Sequence, residues 1–249
     1  VVLARAVDIE FPEAIDPRLV AARLIDLSAN RDGFIADLSP AGRPGAMLVG
    51  SSPEVLVKRQ GSTVSAFPLA GSSPRRTSAA EDHIAGQDLL HSAKDLHEHS
   101  FVVEHLRRVL SPLCERLDIP DTPQLISTNE MWHLGTPISG TLKDKDLTAL
   151  ELALAAHPTP AICGTPAEAA QALIETAETD RGFYAGAVGW CDSSGDGEYM
   201  VAIRCAEVAG DGLSARAWAG GGIVGDSDAQ AELEETTAKL RTILKALSL

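Results

Sequence analysis

Apolar and polar positions alternate at both ends of this chain and recur with helical spacing through its middle. The opening "VVLARAVDIEF" alternates like a strand able to sit inside a sheet. Residues 17–29 then take helical spacing, with Asp16 placed to cap them. "AMLVGSSPEVLVKRQGSTVSAFPLAGSS" reads as strands separated by turns at Ser51 to Pro53 and at Gln60-Gly61. A long helical pattern runs from Ala79 to Arg116 and stops before the loop "DIPDTP". "QLISTNEMWHLGTPISGTL" returns to strand spacing, and residues 146–156 and 166–178 read as helices on either side of the loop "HPTPAICGTP". The last third gives a hairpin in "FYAGAVGWCDSSGDGEYMVAIRCAEV", a strand in "LSARAWAGGGIVGDSD" and a closing helix. This order predicts the α+β class, with large, mainly antiparallel sheets and helices packed on them.

Some polar positions sit where apolar ones belong. In "AELEETTAK" of the closing helix, Glu232, Glu235 and Lys239 fall within roughly 60° of one another on a helical wheel. Leu233, Leu240, Leu244 and Leu247 form the apolar stripe beside them, and Glu234 points away. Alone, this fits an ion pair between Glu235 and Lys239 at the rim of an amphipathic helix. The middle helix has its stripe through Val102, Val103, Leu106, Val109 and Leu110, with Asp95 inside the stripe and Glu98 at its edge. Acids on a buried side are costly unless paired, hydrogen-bonded or bound to metal. Asp95 and Glu98 repeat the one-turn spacing of Glu232 and Glu235. Two inward carboxylate pairs make an oxygen-rich site for a hard divalent cation, and magnesium suits it best. His97 and His99 lie about 200° apart around the helix, which keeps them from sharing a zinc ion. The turn "DSSGDGE" partly resembles a calcium loop, but Ile203 stands where that loop needs glutamate.

Composition narrows the partners. A net charge of −14 over 249 residues argues against nucleic acid or an anionic membrane, because phosphates need a basic footprint. An anionic substrate would have to meet locally concentrated positive charge or a metal ion. No apolar run approaches the ~20 residues of a membrane span, and no signal peptide is visible. Cys114, Cys163, Cys191 and Cys205 lack C-x-x-C spacing and read as small buried thiols in a reducing cytoplasm. The chain is expected to act as a monomer. It opens on Val1 and not on Met, the mark of a processed or truncated product.

In order, "SSPEVLV", "PLAGSSPRR", "KDLHEHSFVVEHL", "MWHLGTPISG", "HPTPAICGTP", "GAVGWCDSSGDGEYMVAIRCA", "AGGGIV" and "ELEETTAKL" resemble the motifs of chorismate-utilising enzymes. The resemblance is strongest to isochorismate synthases of the siderophore type and runs from Val1 to Leu247. It implies that residues 1–249 are a chorismate-binding catalytic domain, the C-terminal part of a longer chain, with sheets and helices around a buried active site. It implies Mg2+ held directly by Glu98 and Glu235, with Asp95 and Glu232 reaching it through water. Chorismate is a dianion. The resemblance puts its ring carboxylate on magnesium and its enolpyruvyl carboxylate on Arg204, with Tyr184 alongside; arginine offers a two-pronged fork for such a group. Glu54 matches the general acid that protonates the leaving C4 hydroxyl, and His133 matches a pocket histidine that orients the substrate. Gly71 and Gly220 match places where backbone approaches the ligand, Ala161 and Ile162 match its wall, and Lys239 matches a carboxylate contact.

Two departures matter. The general base of isochorismate synthases is a lysine directly before the segment that begins here with "VVLAR", and this sequence starts one residue too late to contain it. A large N-terminal portion typical of the family is also missing, so the chain as written is expected to be inactive by itself. Leu233 and Glu234 stand where close relatives often have Trp and Arg. Sibling readings of the same fold are anthranilate, aminodeoxychorismate or salicylate synthases, in which threonine usually replaces Ala161. A reading of another class is a catalytically silent chorismate-binding module.

Overall fold

The strand patterns resolve into three antiparallel sheets. The computed structural model describes residues 1–28, 31–225 and 227–248. The chain begins with β1 (Val2–Glu10), α1 (Pro17–Leu27), β2 (Gly33–Asp37), β3 (Met47–Ser51), β4 (Val55–Gln60), β5 (Thr63–Phe67) and β6 (Leu69–Pro74). Then come α2 (Ala79–His91), α3 (Ala93–Leu110), β7 (Cys114–Asp118), β8 (Gln124–Ser127), β9 (Met131–Gly135) and β10 (Ile138–Leu142). The remainder is α4 (Ala149–Ala156), α5 (Ala167–Ala177), β11 (Ala187–Cys191), β12 (Gly197–Val201), β13 (Cys205–Val208), β14 (Ser214–Gly222) and α6 (Ala229–Ala246). A five-stranded sheet has the order β1-β14-β13-β3-β2, a six-stranded sheet β11-β12-β4-β5-β10-β7, and a small sheet β6-β9-β8. No described helix is long and apolar enough to cross a membrane.

The sheets stack because alternate strand residues face opposite cores. Val49, Ala206, Val208 and Ala217 of the five-stranded sheet pack under α1 and α6, against Val20, Leu24, Leu240 and Ile243. Their strand neighbours Leu48, Cys205 and Trp218 face the other core, with Leu56, Val57 and Val64 of the six-stranded sheet and Leu106, Leu110 and Leu152 of the helices. The small sheet carries α2 and α3.

Two crossovers position the chemistry. Between β3 and β4, and again between β12 and β13, the chain leaves one large sheet for the other. These crossovers lie side by side, since β3 pairs with β13 and β4 with β12. Two hydrogen bonds tie them together: Ser51 N–H to the Arg204 carbonyl at 3.2 Å, and Val201 N–H to the Glu54 carbonyl at 3.1 Å.

Several expectations need correction. The helical pattern from Ala79 to Arg116 is two helices and a strand. Ser92 takes extended backbone (φ −70, ψ 112) and its side chain caps α3 by accepting from the Asp95 N–H. Cys114–Asp118 pairs with β10, a long-range partner that overrides local spacing. Among the described residues β1 pairs with β14 alone and stands at a sheet edge. Leu233 does not belong to a buried stripe; it is 48% exposed, because the first turns of α6 project beyond the core that holds Leu240 and Ile243. Cys191 is exposed on the edge strand β11, unlike the other three thiols. The Asp16 cap is as expected, with its carboxylate accepting from the Arg18 N–H; the expected helix end at Ala29 lies outside the described residues.

Candidate active site

Glu54 and Arg204 enter the site from the paired crossovers. Glu54 is 3% exposed. Burial pushes its carboxyl up to about 8, against the opposing pull of the Leu69 N–H and of the Lys239 and Arg204 charges. The group therefore holds its proton at neutral pH. Arg204 does not lie on a strand, as its surrounding sequence suggested, but between β12 and β13 at φ +51. This left-handed backbone costs a non-glycine residue roughly 1–2 kcal/mol. The strain falls at a residue whose side chain lines the cavity.

His133, on β9, accepts a hydrogen bond at Nε2 from Nη2 of Arg204 at 3.2 Å. Burial first, then the Arg204 and Lys239 charges, push the imidazole well below its ordinary range, so the ring is neutral. Burial pulls the Arg204 guanidinium down as well, but arginine stays charged. Tyr184 is buried and stacks on Trp218, with ring centroids 5.9 Å apart and planes at 13°. Burial raises its phenol and keeps it protonated. Its hydroxyl comes so near the Gly220 backbone that a Cβ there would lie 3.1 Å from it.

A second part of the site is acidic. Helices α3 and α6 bring Glu98, Glu232 and Glu235 toward the Gly221–Gly222 backbone of β14, and Asp95 toward Gly71 of β6. A Cβ on Gly222 would collide with Oε1 of Glu98, and one on Gly221 would lie 3.0 Å from Oε2 of Glu232. Gly71, at φ +77 on β6, gives the same clearance to Asp95, whose Cβ is 3.0 Å from where a Cβ would stand.

Each carboxylate but one has local partners. Glu235 accepts from Ser72 Oγ at 2.8 Å and from the ammonium of Lys239, which also donates to the Gly220 carbonyl at 2.9 Å. Burial would raise Glu235, but Lys239 first, with Ser72 and Lys94, holds it below its usual range. Glu232 accepts from Ser227 Oγ at 2.9 Å and pairs with Lys94 at 3.4 Å, while Asp95 accepts from Ser92 Oγ at 2.5 Å. Glu98 has no hydrogen-bond partner among the described residues. Burial raises its carboxyl, and the charges of Glu235 and Asp95 raise it further.

This donor set fits a magnesium ion. It is all hard oxygen and partly buried, and it leaves Glu98 without a hydrogen-bond partner among the described residues. Among the described residues no three histidine, cysteine or acidic groups stand together as a ready-made metal-binding cluster. Magnesium does not need one, because it commonly takes one or two carboxylates and completes its shell with water and substrate.

Residues of both groups line one cavity of about 80 Å³. Of the residues expected from the sequence, all but Asp95 and Glu232 line it, and those two stand behind Gly71 and Gly221. Ala161 and Ile162 form one wall. Sequence reasoning missed the group that holds this wall. Arg181 donates to the carbonyls of Ile162 (2.8 Å) and Val2 (2.9 Å) and pairs with Glu178, which is itself bonded to the Ala4 N–H. The i,i+3 spacing of Glu178 and Arg181 was the available signal. Ser72, Lys94 and Trp218 were also missed, although all three sit in or beside the quoted motifs.

The family model described as "Chorismate binding enzyme" matches residues 1–248. Isochorismate synthase DhbC of Bacillus subtilis is 46% identical over 250 residues, covering 99% of this chain and 62% of that protein. A Bacillus anthracis structure described as a 2,3-dihydroxybenzoate-specific isochorismate synthase superposes with TM-score 0.94 at 42% identity, covering 100% of this chain and 66% of that one. The menaquinone-specific isochorismate synthase MenF of Escherichia coli superposes with TM-score 0.85 at 29% identity, covering 98% and 56%. The chain thus spans under two thirds of the length of DhbC. With a family model matched over residues 1–248 and both sequence and fold matched along nearly all its length, the chain belongs to the chorismate-binding enzyme family.

Proposed function

We propose that this chain is the chorismate-binding catalytic part of an isochorismate synthase, which moves the ring hydroxyl of chorismate from C4 to C2. One observation carries the reading. One cavity is lined by a protonated, buried Glu54, by the cationic Arg204 and by the carboxylates of Glu98 and Glu235. A dianion that must lose a hydroxide as water needs this set of groups.

Arg204 and the Tyr184 phenol take the enolpyruvyl carboxylate. Glu54 gives its proton to the departing C4 hydroxyl, so that water leaves. Neutral His133 keeps Arg204 in place and orients the ring. Lys239 contacts the ring carboxylate, and Gly71, Gly220, Ala161 and Ile162 shape the walls. When bound at Glu98 and Glu235, with Asp95 and Glu232 reaching it through water, Mg2+ supplies positive charge for that carboxylate.

The family resemblance places the general base at a lysine directly before Val1. The strand geometry supports this position. Val2, the first residue of β1, lines the cavity, and were the strand to continue upstream, the residue before Val1 would share its face.

The test restores the upstream residues and compares the protein with lysine directly before Val1 to the same protein with alanine there. Both are expected to bind chorismate in the presence of magnesium. The lysine form should turn it over about 10²–10⁴-fold faster, the usual range for general-base assistance. Equal isochorismate formation by the two forms would move the base elsewhere, and absence of magnesium-dependent chorismate binding would sink the reading.

A further inference from the structure

Lys94 stands where helix electrostatics disfavour a cation. It is the second residue of α3, and a helix N-terminus carries partial positive charge. Its side chain is 46% exposed and its one ion pair among the described residues, to Oε1 of Glu232, is long at 3.4 Å. It walls a groove of about 660 Å³ that shares Val2, Glu98 and Gly222 with the active cavity. Burial pulls its ammonium down, but Glu232, Asp95 and Glu98 more than offset this. The position serves the carboxylates, not the helix.

The charges around the cluster show what Lys94 does there. Asp95, Glu98, Glu232 and Glu235 are opposed by two ammonium groups, Lys94 and Lys239. Lys239 is tied inward to the Gly220 carbonyl and to Glu235. Among the described residues Lys94 is held by one long contact, to Glu232, and its side chain is partly exposed.

We propose that Lys94 is a tethered counter-cation, which covers the carboxylate cluster when no metal is bound and must release Glu232 before a divalent cation enters. This rests on the reading of Glu98 and Glu235 as magnesium ligands. Its consequence is that the protein binds magnesium alone less tightly than its four carboxylates would otherwise allow.

Calorimetric titration with magnesium chloride, in the absence of chorismate, tests this on the purified chain and its Lys94→Met, Lys94→Arg and Glu235→Gln variants. Removing a unit charge beside a divalent ion should tighten magnesium binding about tenfold in Lys94→Met at low salt. The difference should shrink at high ionic strength. Lys94→Arg should keep the parent affinity, and Glu235→Gln should lose the binding heat. Unchanged or weaker affinity in Lys94→Met, with Glu235→Gln inactive in binding, would overturn the role of Lys94 while leaving the metal site intact. Tightening in Lys94→Arg equal to that in Lys94→Met would also overturn it, since charge would not be the cause. Binding heat that survives in Glu235→Gln, or is absent from the parent, would overturn the metal reading and this inference with it.

Discussion

The guanidinium of Arg204 donates through Nη2 to Nε2 of His133 across 3.2 Å, with both side chains buried. A guanidinium has donors and no acceptor, so the imidazole nitrogen facing it carries no proton. His133 thus has no proton on the face it turns to Arg204. Glu54 remains as the buried acid in the same cavity.

Replacing Arg204 by lysine keeps a charge but loses the planar fork and the donor to His133. Chorismate affinity should fall at least tenfold, as expected when a charge-assisted bidentate contact is lost. Magnesium affinity measured without chorismate should stay within about twofold, because among the described residues Arg204 makes no hydrogen bond or ion pair with Asp95, Glu98, Glu232 or Glu235. Calorimetry with each ligand separately decides; unchanged chorismate affinity would make Arg204 structural.

The pH dependence follows from Glu54. Its carboxyl titrates at about 8 in the fold, against 4.5 for an ordinary glutamate. On the proposed role of Glu54 as general acid, turnover of the form with lysine before Val1 should fall as pH rises through about 8. The folded chain also holds a proton that the unfolded chain releases. This stabilisation is fully present below pH 4.5 and is lost as pH rises toward 8. Glu54→Gln should lower turnover about 10²–10⁴-fold. It should also melt higher than the parent, by a margin that grows from pH 5 to pH 8. A margin independent of pH would show that Glu54 is not held protonated.

Glu98→Gln separates stability from function. The carboxylate is raised by burial and by Glu235 and Asp95, so its neutral isostere relieves repulsion in the metal-free chain. Thermal melting without magnesium should rise, while magnesium-dependent chorismate binding is lost. Asp95→Asn should weaken that binding less, by about tenfold, as suits a contact through water. A Glu98→Gln protein with parent magnesium-linked affinity would remove it from the ligand set.

Arg181→Met tests the wall of the site. It leaves Glu178, whose side chain is 6% exposed, without its cation, and frees the Ile162 and Val2 carbonyls. Stripping one partner from a buried ion pair costs about 3–5 kcal/mol. Chemical denaturation should show a loss of that size. The double change Arg181→Met with Glu178→Gln should recover part of it, and failure to recover any would show that the pair is not coupled.

What the sequence determined by itself is what local geometry encodes. Asp16 caps its helix, Asp95 and Glu98 share one helix face, and Glu232, Glu235 and Lys239 share another, because helical spacing depends on neighbours alone. The ordered motifs added the family and the identities of most cavity residues. The tertiary structure decided what depends on distant partners. Helices α3 and α6 meet at Lys94 and Glu232, 138 residues apart, because β14 and the small sheet seat them against each other. Ser92 breaks one helical pattern into two where its side chain takes a backbone N–H, and Cys114–Asp118 becomes a strand because β10 lies beside it. Arg204 turns at φ +51 where the chain changes sheets, a place set by the pairing of β3 with β13 and β4 with β12. Strand pairing across such distances selects backbone conformations that no short window of residues prefers, and at Arg204 it holds a cationic side chain in the same cavity as Glu54.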